Sequence, residues 1–232
     1  MQELDMSKCS QCIVRKFSAL KTLDKSELMY MSECKTGQTI KKGSYIFNEG
    51  DHLKGVYCVK SGVCKLVKLS SNGRNQIVRF IRRGDLLGQR SIVSDDAVSL
   101  SAIAVEDMQV CFIPKTDILT VFKQNSNFSN EIINDICYDL KLANHQIVRM
   151  AHKTVRARFA TILLELQEEF GEDKDKNLRL KLSREEYANL VGTATESMIR
   201  MFANFSKEGL IQLTGKNVGI IDQVKLKQIA EE

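Results

Sequence analysis

The sequence predicts an α+β chain in three parts. These are an antiparallel β-roll of the jelly-roll type over residues 1–125, a long dimerisation helix over 126–154 and a winged helix-turn-helix over 155–232. Three observations predict it. Glycines at 37, 43, 50, 55, 62, 73, 84 and 88 punctuate short β-rich runs, as in closed or double-layered antiparallel structures. An apolar heptad row then runs from Asn130 to Val155 without Gly or Pro. Finally, two capping-box spacings, Ser183-x-x-Glu186 and Thr193-x-x-Glu196, stand ten residues apart around Gly192.

Composition narrows the function classes. No apolar run approaches the ~18 residues of a membrane span, and the opening MQELDMSKC lacks the apolar core of a secretory signal. A cytoplasmic protein with no membrane partner is expected. The net charge is +5, but from Val155 onward 12 Lys/Arg face 13 Asp/Glu, a net of −1. Any case for nucleic acid therefore rests on local residues rather than on overall basicity. No nucleophile elbow, P-loop or HExxH is present, so no enzyme is expected. Seven cysteines, an odd number widely spread, argue for reduced thiols rather than a disulfide framework.

Taken in order, the chain opens with Cys9-x2-Cys12, the one cysteine pair with metal-like spacing. A short helix is expected around Asp24–Ser32, with Leu23, Leu28 and Met31 on one face. Strands are expected at Tyr45–Phe47, Val56–Val59, Cys64–Leu69, Ile77–Ile81 and Gln109–Ile113, with turns at Ser71-Asn72-Gly73 and Gly84–Gly88.

The segment KKGSYIFNEGDHLKGVYCVKSGVCKLVKLSSNGRNQIVRFIRRGDLLG resembles the cyclic-nucleotide-binding-type β-roll of the Crp/Fnr family of bacterial transcription regulators. Gly43, Glu49-Gly50-Asp51, Ser61-Gly62, Gly73 and Gly84-Asp85-Leu86-Leu87-Gly88 carry the resemblance, which extends from about Lys35 to Asp222. The resemblance implies a ligand pocket, but the cyclic AMP signature departs. The ribose-binding Glu position is Gln89 and the phosphate-binding Arg-Ser position is Leu100-Ser101. A buried phosphate facing leucine would be left unpaired, so cyclic AMP is not expected.

The Fnr branch of that family holds an iron–sulfur cluster with three N-terminal cysteines and one in the roll. By resemblance Cys9 and Cys12 match the first pair and Cys111 the roll ligand, whereas the third N-terminal position is Ser18, a poor iron ligand. Three readings stay open: a cluster or other metal, a thiol redox switch, and idle cysteines. Cys34 would complete a set only if the N-terminal segment folded differently. His52, His145 and His152 do not cluster in sequence.

In the heptad row, Ile133, Ile136, Leu140, Ala143, Ile147 and Met150 alternate steps of three and four. So narrow a seam suits a partner helix, and the copy in a second chain is the expected partner. A second helix follows from Thr154 to about Phe170, ended by Gly171, and GEDKDKN is expected as a charged surface loop.

The two capped helices, with Tyr187, Leu190, Val191, Met198, Met201, Phe202 and Phe205 inward, make a helix-turn-helix. Leu210–Leu213 and Gly219–Asp222 around Gly215-Lys216-Asn217 make its wing. Thr195, Glu196, Ile199 and Arg200 resemble the family's base-reading segment. Arg can donate twice to guanine, a carboxylate can accept from cytosine, and positions i and i+4 share a helix face. The bland alternative is a capping Glu196 paired with Arg200. Ser183, Arg184, Thr193, Ser197, Lys207 and Lys216 are candidate phosphate contacts. The expected partners are therefore double-stranded DNA and a second copy of the chain, with RNA polymerase a third if the protein activates. A regulatory module without DNA output is the alternative, distinguished by the absence of a salt-dependent DNA shift.

Overall fold

The computed structural model describes residues 8–70, 73 and 75–232. The chain forms two compact units. The first ends at Lys141 and the second starts at Leu142, with Asn75 and Gln76 counted in the second.

The first unit begins with three short 3-10 turns, Cys9–Gln11, Ile13–Phe17 and Ala19–Thr22. Helix α1, Lys25–Cys34, starts at a reciprocal capping box: Asp24 accepts from the Glu27 amide and Glu27 accepts from the Asp24 amide. Leu23, Leu28 and Met31 are buried, the face the spacing predicts. Eight strands follow: β1 Thr36–Ile40, β2 Tyr45–Phe47, β3 Gly55–Ser61, β4 Cys64–Leu69, β5 Asn75–Ile81, β6 Leu86–Leu87, β7 Ser101–Ala104 and β8 Met108–Pro114. Helix α2, Gln89–Ser94, lies between β6 and β7, and α3, Lys115–Gln124, follows β8.

The strands make two four-stranded sheets, ordered β1-β8-β3-β6 and β2-β7-β4-β5. Phe47, Val59, Cys64, Ile81, Leu87 and Val110 belong to one buried core. A second core holds Val56, Cys58, Cys111 and Ile113 together with residues of the 3-10 turns, α1, α3 and the start of the next helix. Alternate residues of β3 thus go to different cores: Val56 and Cys58 to one, Tyr57 and Val59 to the other. Burial on both faces is why β3 reads as a continuous apolar run instead of alternating. Gly55 sits where β3 runs closest to β8, since a Cβ there would meet the Ile113 carbonyl at 2.1 Å.

Five strand expectations hold to within two residues at each end. β1 and β7 were not expected, and neither were α2 and α3. The stretch Gly84–Gly88 is more than a turn, because Leu86 and Leu87 pair with Cys58 and Tyr57. Gly73 has φ +77 and donates to the Ser70 carbonyl, while Ser71 and Asn72 of that expected turn lie outside the described residues.

Helix α4 runs Ser126–His152, beginning four residues earlier than the unbroken heptad stretch and ending before Val155. The heptad reading overran because Thr154 is the N-cap of α5, Val155–Phe170, accepting from the Ala157 amide. Gly171 closes α5 as predicted. Among the described residues no helix is long and apolar enough to cross a membrane.

In the second unit α5 is followed by α6 Arg184–Val191, α7 Thr195–Lys207, the antiparallel strands β9 Ile211–Thr214 and β10 Asn217–Ile220, and α8 Gln223–Glu231. The expected charged loop is more ordered than its composition suggests. Asn177 is buried, Asp173 accepts from the Asn177 and Asp175 amides, and isolated bridges join Glu172 to Leu178 and Asn177 to Gly219. Helix α8 was not expected; Leu226 and Ile229 bury its inner face and Asp222 caps it.

Candidate nucleic-acid interface and thiol cluster

The helix-turn-helix is built from an aromatic knot. Phe159 of α5 lies 4.7 Å from both Phe202 and Phe205 of α7, and Tyr187 of α6 stands edge-on to Phe202 at 5.0 Å, centroid to centroid. Such pairs contribute roughly 0.5–1.5 kcal/mol each beyond area burial. They fix α7 by one face, which Met198, Phe202 and Phe205 bury completely or nearly so. Met201, expected inward, is half-buried.

Helix α6 starts at the predicted capping box, Ser183 and Glu186 each accepting the other's amide. It ends at Gly192, φ +73, where the Gly192 and Thr193 amides both donate to the Ala188 carbonyl. The second predicted capping box does not form. Ala194 is the N-cap of α7 and no side chain caps it. Thr193 instead spends its amide on the Ala188 carbonyl that closes α6, one residue short of the capping position.

With Ala194 as the N-cap, Glu196 does not serve as a capping-box residue. It is the second residue of α7, exposed, and lies in the first turn, where a carboxylate suits the positive end of the helix. The other bland explanation fails too. Among the described residues no ion pair joins Glu196 to Arg200, and Arg200 Nη2 donates to Ser197 Oγ at 3.1 Å. Arg200 is exposed and Ile199 is 52% exposed on the same side, while Thr195 is half-buried at the helix start. The structure therefore brings Glu196, Ile199 and Arg200 onto the face opposite the aromatic knot. Ala203 and Asn204 continue that face and were missed. The helical repeat was the signal that could have found them.

The other candidates separate. Lys216 is exposed in the two-residue turn between β9 and β10, after Gly215 with φ +62. Lys207 is exposed at the far end of α7, about 16 Å along the axis from Glu196 at 1.5 Å per residue. Arg184 is half-buried. Its guanidinium lies 3.7 Å over the Phe202 ring, Nη2 reaches the Gly215 carbonyl at 3.4 Å, and Nη1 is buried without a hydrogen-bond partner. Burial lowers its pKa. It braces the wing turn against α7.

Along α4 the heptad row divides in two. Ile133, Leu140 and Ile147, seven residues apart, are 47, 61 and 67% exposed. Ile136, Ala143 and Met150 are half-buried. Part of this is internal packing: Ile136 packs against the core that holds Val56 and Cys58, and Met150 Sδ lies 3.0 Å from where a Gly192 Cβ would be. Phe128 and Ile132, which lead to Ile136 in steps of four residues, are fully buried in that same core.

In the β-roll, a pocket residue implied by resemblance has another partner. Ser101 Oγ accepts from the Glu49 amide at 2.9 Å.

The cysteines also divide. Cys34 faces Tyr30 and Asp117, Cys64 lies in the core between the two sheets, and Cys137 is exposed on α4. Cys9, Cys58 and Cys111 are buried in one core, and Cys12 packs against it. Cys58 and Cys111 are register partners across β3 and β8. Burial pushes the Cys58 thiol up, as do the Cys111, Cys12 and Cys9 thiols, and Lys35 partly offsets this. Burial also raises Cys111, with Lys35 and Lys60 pulling it back. Among the described residues no three His, Cys, Asp or Glu side chains are set to grip a single metal ion.

Comparison with known proteins agrees with both halves of the chain. Residues 38–125 match the cyclic nucleotide-binding domain and residues 157–229 the Crp-like helix-turn-helix domain. The transcriptional activator protein anr of Pseudomonas aeruginosa is 28% identical over 99% of this chain and 95% of its own length. The fumarate and nitrate reduction regulatory protein of Escherichia coli is 27% identical over 96% and 90%. Among solved structures, a transcriptional regulator of the crp/fnr family from Eubacterium rectale superposes with a TM-score of 0.77 at 23% identity, covering 92% of this chain and 97% of that one. FixK2 from Bradyrhizobium japonicum gives 0.75 at 22%, covering 84% and 96%.

Proposed function

The chain belongs to the Crp/Fnr family of transcription regulators, with a helix-turn-helix DNA-binding domain, and from that premise we propose how it reads DNA. It works as a homodimer through Ile133, Ile136, Leu140, Ala143, Ile147 and Met150 of α4. Its two α7 helices enter successive major grooves, about 34 Å apart, of an inverted repeat. Arg200 donates to a guanine and Glu196 accepts from a cytosine amino group, while Thr195 and the apolar Ile199 read neighbouring positions. Ser183, Thr193, Ser197, Lys207 and Lys216 hold the phosphates; Arg184 is read as a brace for the wing.

The observation that carries this reading is the exposed Glu196–Ile199–Arg200 face on a helix whose opposite face is locked in aromatic packing. Among the described residues no ion pair consumes the two charges, so both are available to a partner. The relatives' names as activators support RNA polymerase as a further partner, and the cytoplasm as the place of action.

The test compares Arg200→Ala with the native chain on the cognate repeat and on scrambled DNA. Loss confined to the cognate site, with relaxed choice at one guanine, is the expected result. Equal loss on both would make Arg200 a backbone contact.

A further inference from the structure

Helix α4 ends at His152 and α5 begins at Val155, so only Lys153 and Thr154 separate them. The last carbonyls of a helix have no partner inside it, and the helix dipole makes that end negative. Two such ends, those of α4 and α6, meet at one side chain. Arg158, in the first turn of α5, donates from Nε to the Val191 carbonyl at 2.8 Å and from Nη1 to the Lys153 carbonyl at 3.0 Å. Longer bonds run from Nη1 to the Met150 carbonyl at 3.5 Å and from Nη2 to the Gly192 carbonyl at 3.4 Å. All of these residues lie in the second unit.

Arg158 differs from a surface arginine in three ways. It is half-buried, and among the described residues no carboxylate pairs with it; its partners are all backbone carbonyls. Burial lowers its pKa and the Arg149 guanidinium adds to this, while Arg149 itself is spent on Glu165 Oε1 at 2.7 Å and on Gln146. The two negative helix ends are what compensate the Arg158 charge. Secondly, the bonds leave from all three guanidinium nitrogens, a planar fork that a lysine ammonium cannot copy. Thirdly, side-chain packing joins the same parts. A Cβ on Gly192, whose φ is +73, would meet Met150 Sδ at 3.0 Å. The turn that leads from α6 into α7 therefore lies directly against the last turn of α4.

We propose that Arg158 is a positioning residue. By capping α4 and α6 together it fixes the angle of the reading helix to the end of the dimer helix, and so sets the half-site spacing that the dimer accepts. It acts without touching DNA, and the role rests on the homodimeric reading given above. In a two-fold dimer any angular play at this joint occurs at both readers. One inserted base pair displaces a half-site by about 3.4 Å and turns it by about 35°. A rigid joint rejects that site and a loose one follows it.

The experiment uses the full chain as native protein, Arg158→Gln and Arg200→Ala. Gel-shift titrations use the inverted repeat that the native chain selects from random DNA, the same repeat with one base pair added to or removed from its spacer, and a single half-site. The native chain should prefer its own spacer at least tenfold. Arg158→Gln should lower that preference below threefold and leave the choice of guanine on the half-site unchanged. Arg200→Ala should do the reverse. An unchanged spacer preference in Arg158→Gln would overturn the proposal, as would a native chain indifferent to the spacer. So would a loss on the half-site equal to the loss on the repeat, which would make Arg158 merely part of the reader's fold. Hydrogen exchange without DNA supplies a second readout. The Lys153 amide bonds the Arg149 carbonyl, and the Gly192 and Thr193 amides bond the Ala188 carbonyl. These should exchange at least tenfold faster in Arg158→Gln, with Phe202–Phe205 unchanged. An equal rise in both segments would mean general loss of stability and would also overturn the proposal. If the native chain selected no inverted repeat, the DNA reading would fail, and the exchange rates would still decide whether Arg158 holds the joint.

Discussion

Truncating Leu140 to alanine should break the proposed dimer, and the exposures on α4 say by how much. Burying a leucine fully stabilises by roughly 1.5–3 kcal/mol. Leu140 is 61% exposed, so about 1–2 kcal/mol per protomer is left to be gained against a partner. A two-fold interface counts each seam residue twice, which gives about 2–4 kcal/mol per dimer. The dissociation constant should rise about 30- to 900-fold. Sedimentation equilibrium across a concentration series reads this directly. Tyr138→Ala is the control. Tyr138 is 54% exposed on the same helix but two residues before Leu140, away from the row. It should shift the constant by no more than about twofold, as for a surface substitution. Equal effects from both variants would mean that general apolarity, not the heptad row, drives association. No effect from Leu140→Ala would mean that another surface makes the dimer.

Three further outcomes follow from the second unit. Arg200→Ala should cost about 1–3 kcal/mol on the cognate repeat in a gel-shift titration and little on scrambled DNA. Arg184→Leu should lower thermal stability, because the stack on Phe202 is worth about 0.5–2 kcal/mol. It should leave the salt dependence of DNA binding unchanged; a slope shallower by about 0.9 per contact would make Arg184 a phosphate ligand after all. The surface pair of Arg156 and Glu208 predicts a pH effect. The hydrogen bond from Arg156 holds the Glu208 carboxyl below its ordinary 4.5, so its contribution is present above that value and lost as pH falls through the lower folded value. The melting-temperature gap between the native chain and Glu208→Gln should therefore be open at about pH 7 and close below 4.5; a gap independent of pH would refute the pairing.

What the sequence made legible was local. The capping box at Ser183 and Glu186, the αL glycine at 192 and the apolar spacing of Phe202 and Phe205 are written within a few residues of each other, and all appear in the fold. The failure at Thr193 is equally local. Both Thr193 and Thr195 flank the start of α7, and only the closing of α6 on the Ala188 carbonyl decides that the cap falls on Ala194 between them. Strands β1 and β7 were invisible for a different reason. TGQTI and SAIA carry too few large apolar residues to alternate visibly, and their place is set by pairing with β8 and with β2 and β4. The pairing of Cys58 with Cys111 is equally illegible along the chain, since only the register of β3 on β8 sets the two opposite each other.

The same contrast decides how the seam on α4 should be weighed. A heptad pattern treats Ile136 and Leu140 as equals, but their surroundings differ. Ile136 already packs against the core that holds the buried thiols, while Leu140 touches chiefly solvent. Removing methyl groups from Ile136 therefore takes contacts from the folded protomer first, and only the remainder from a partner. Ile136→Ala should lower the thermal stability of the protein more than Leu140→Ala does at protein concentrations where the native chain is monomeric. It should also raise the dimer constant less. Melting curves below the dissociation constant, set beside sedimentation of the same two variants, separate the terms. If Ile136→Ala weakened the dimer as much as Leu140→Ala and left the monomer's melting unchanged, the half-buried row would belong to the partner, and the division of α4 into an inner and an outer apolar face would be wrong.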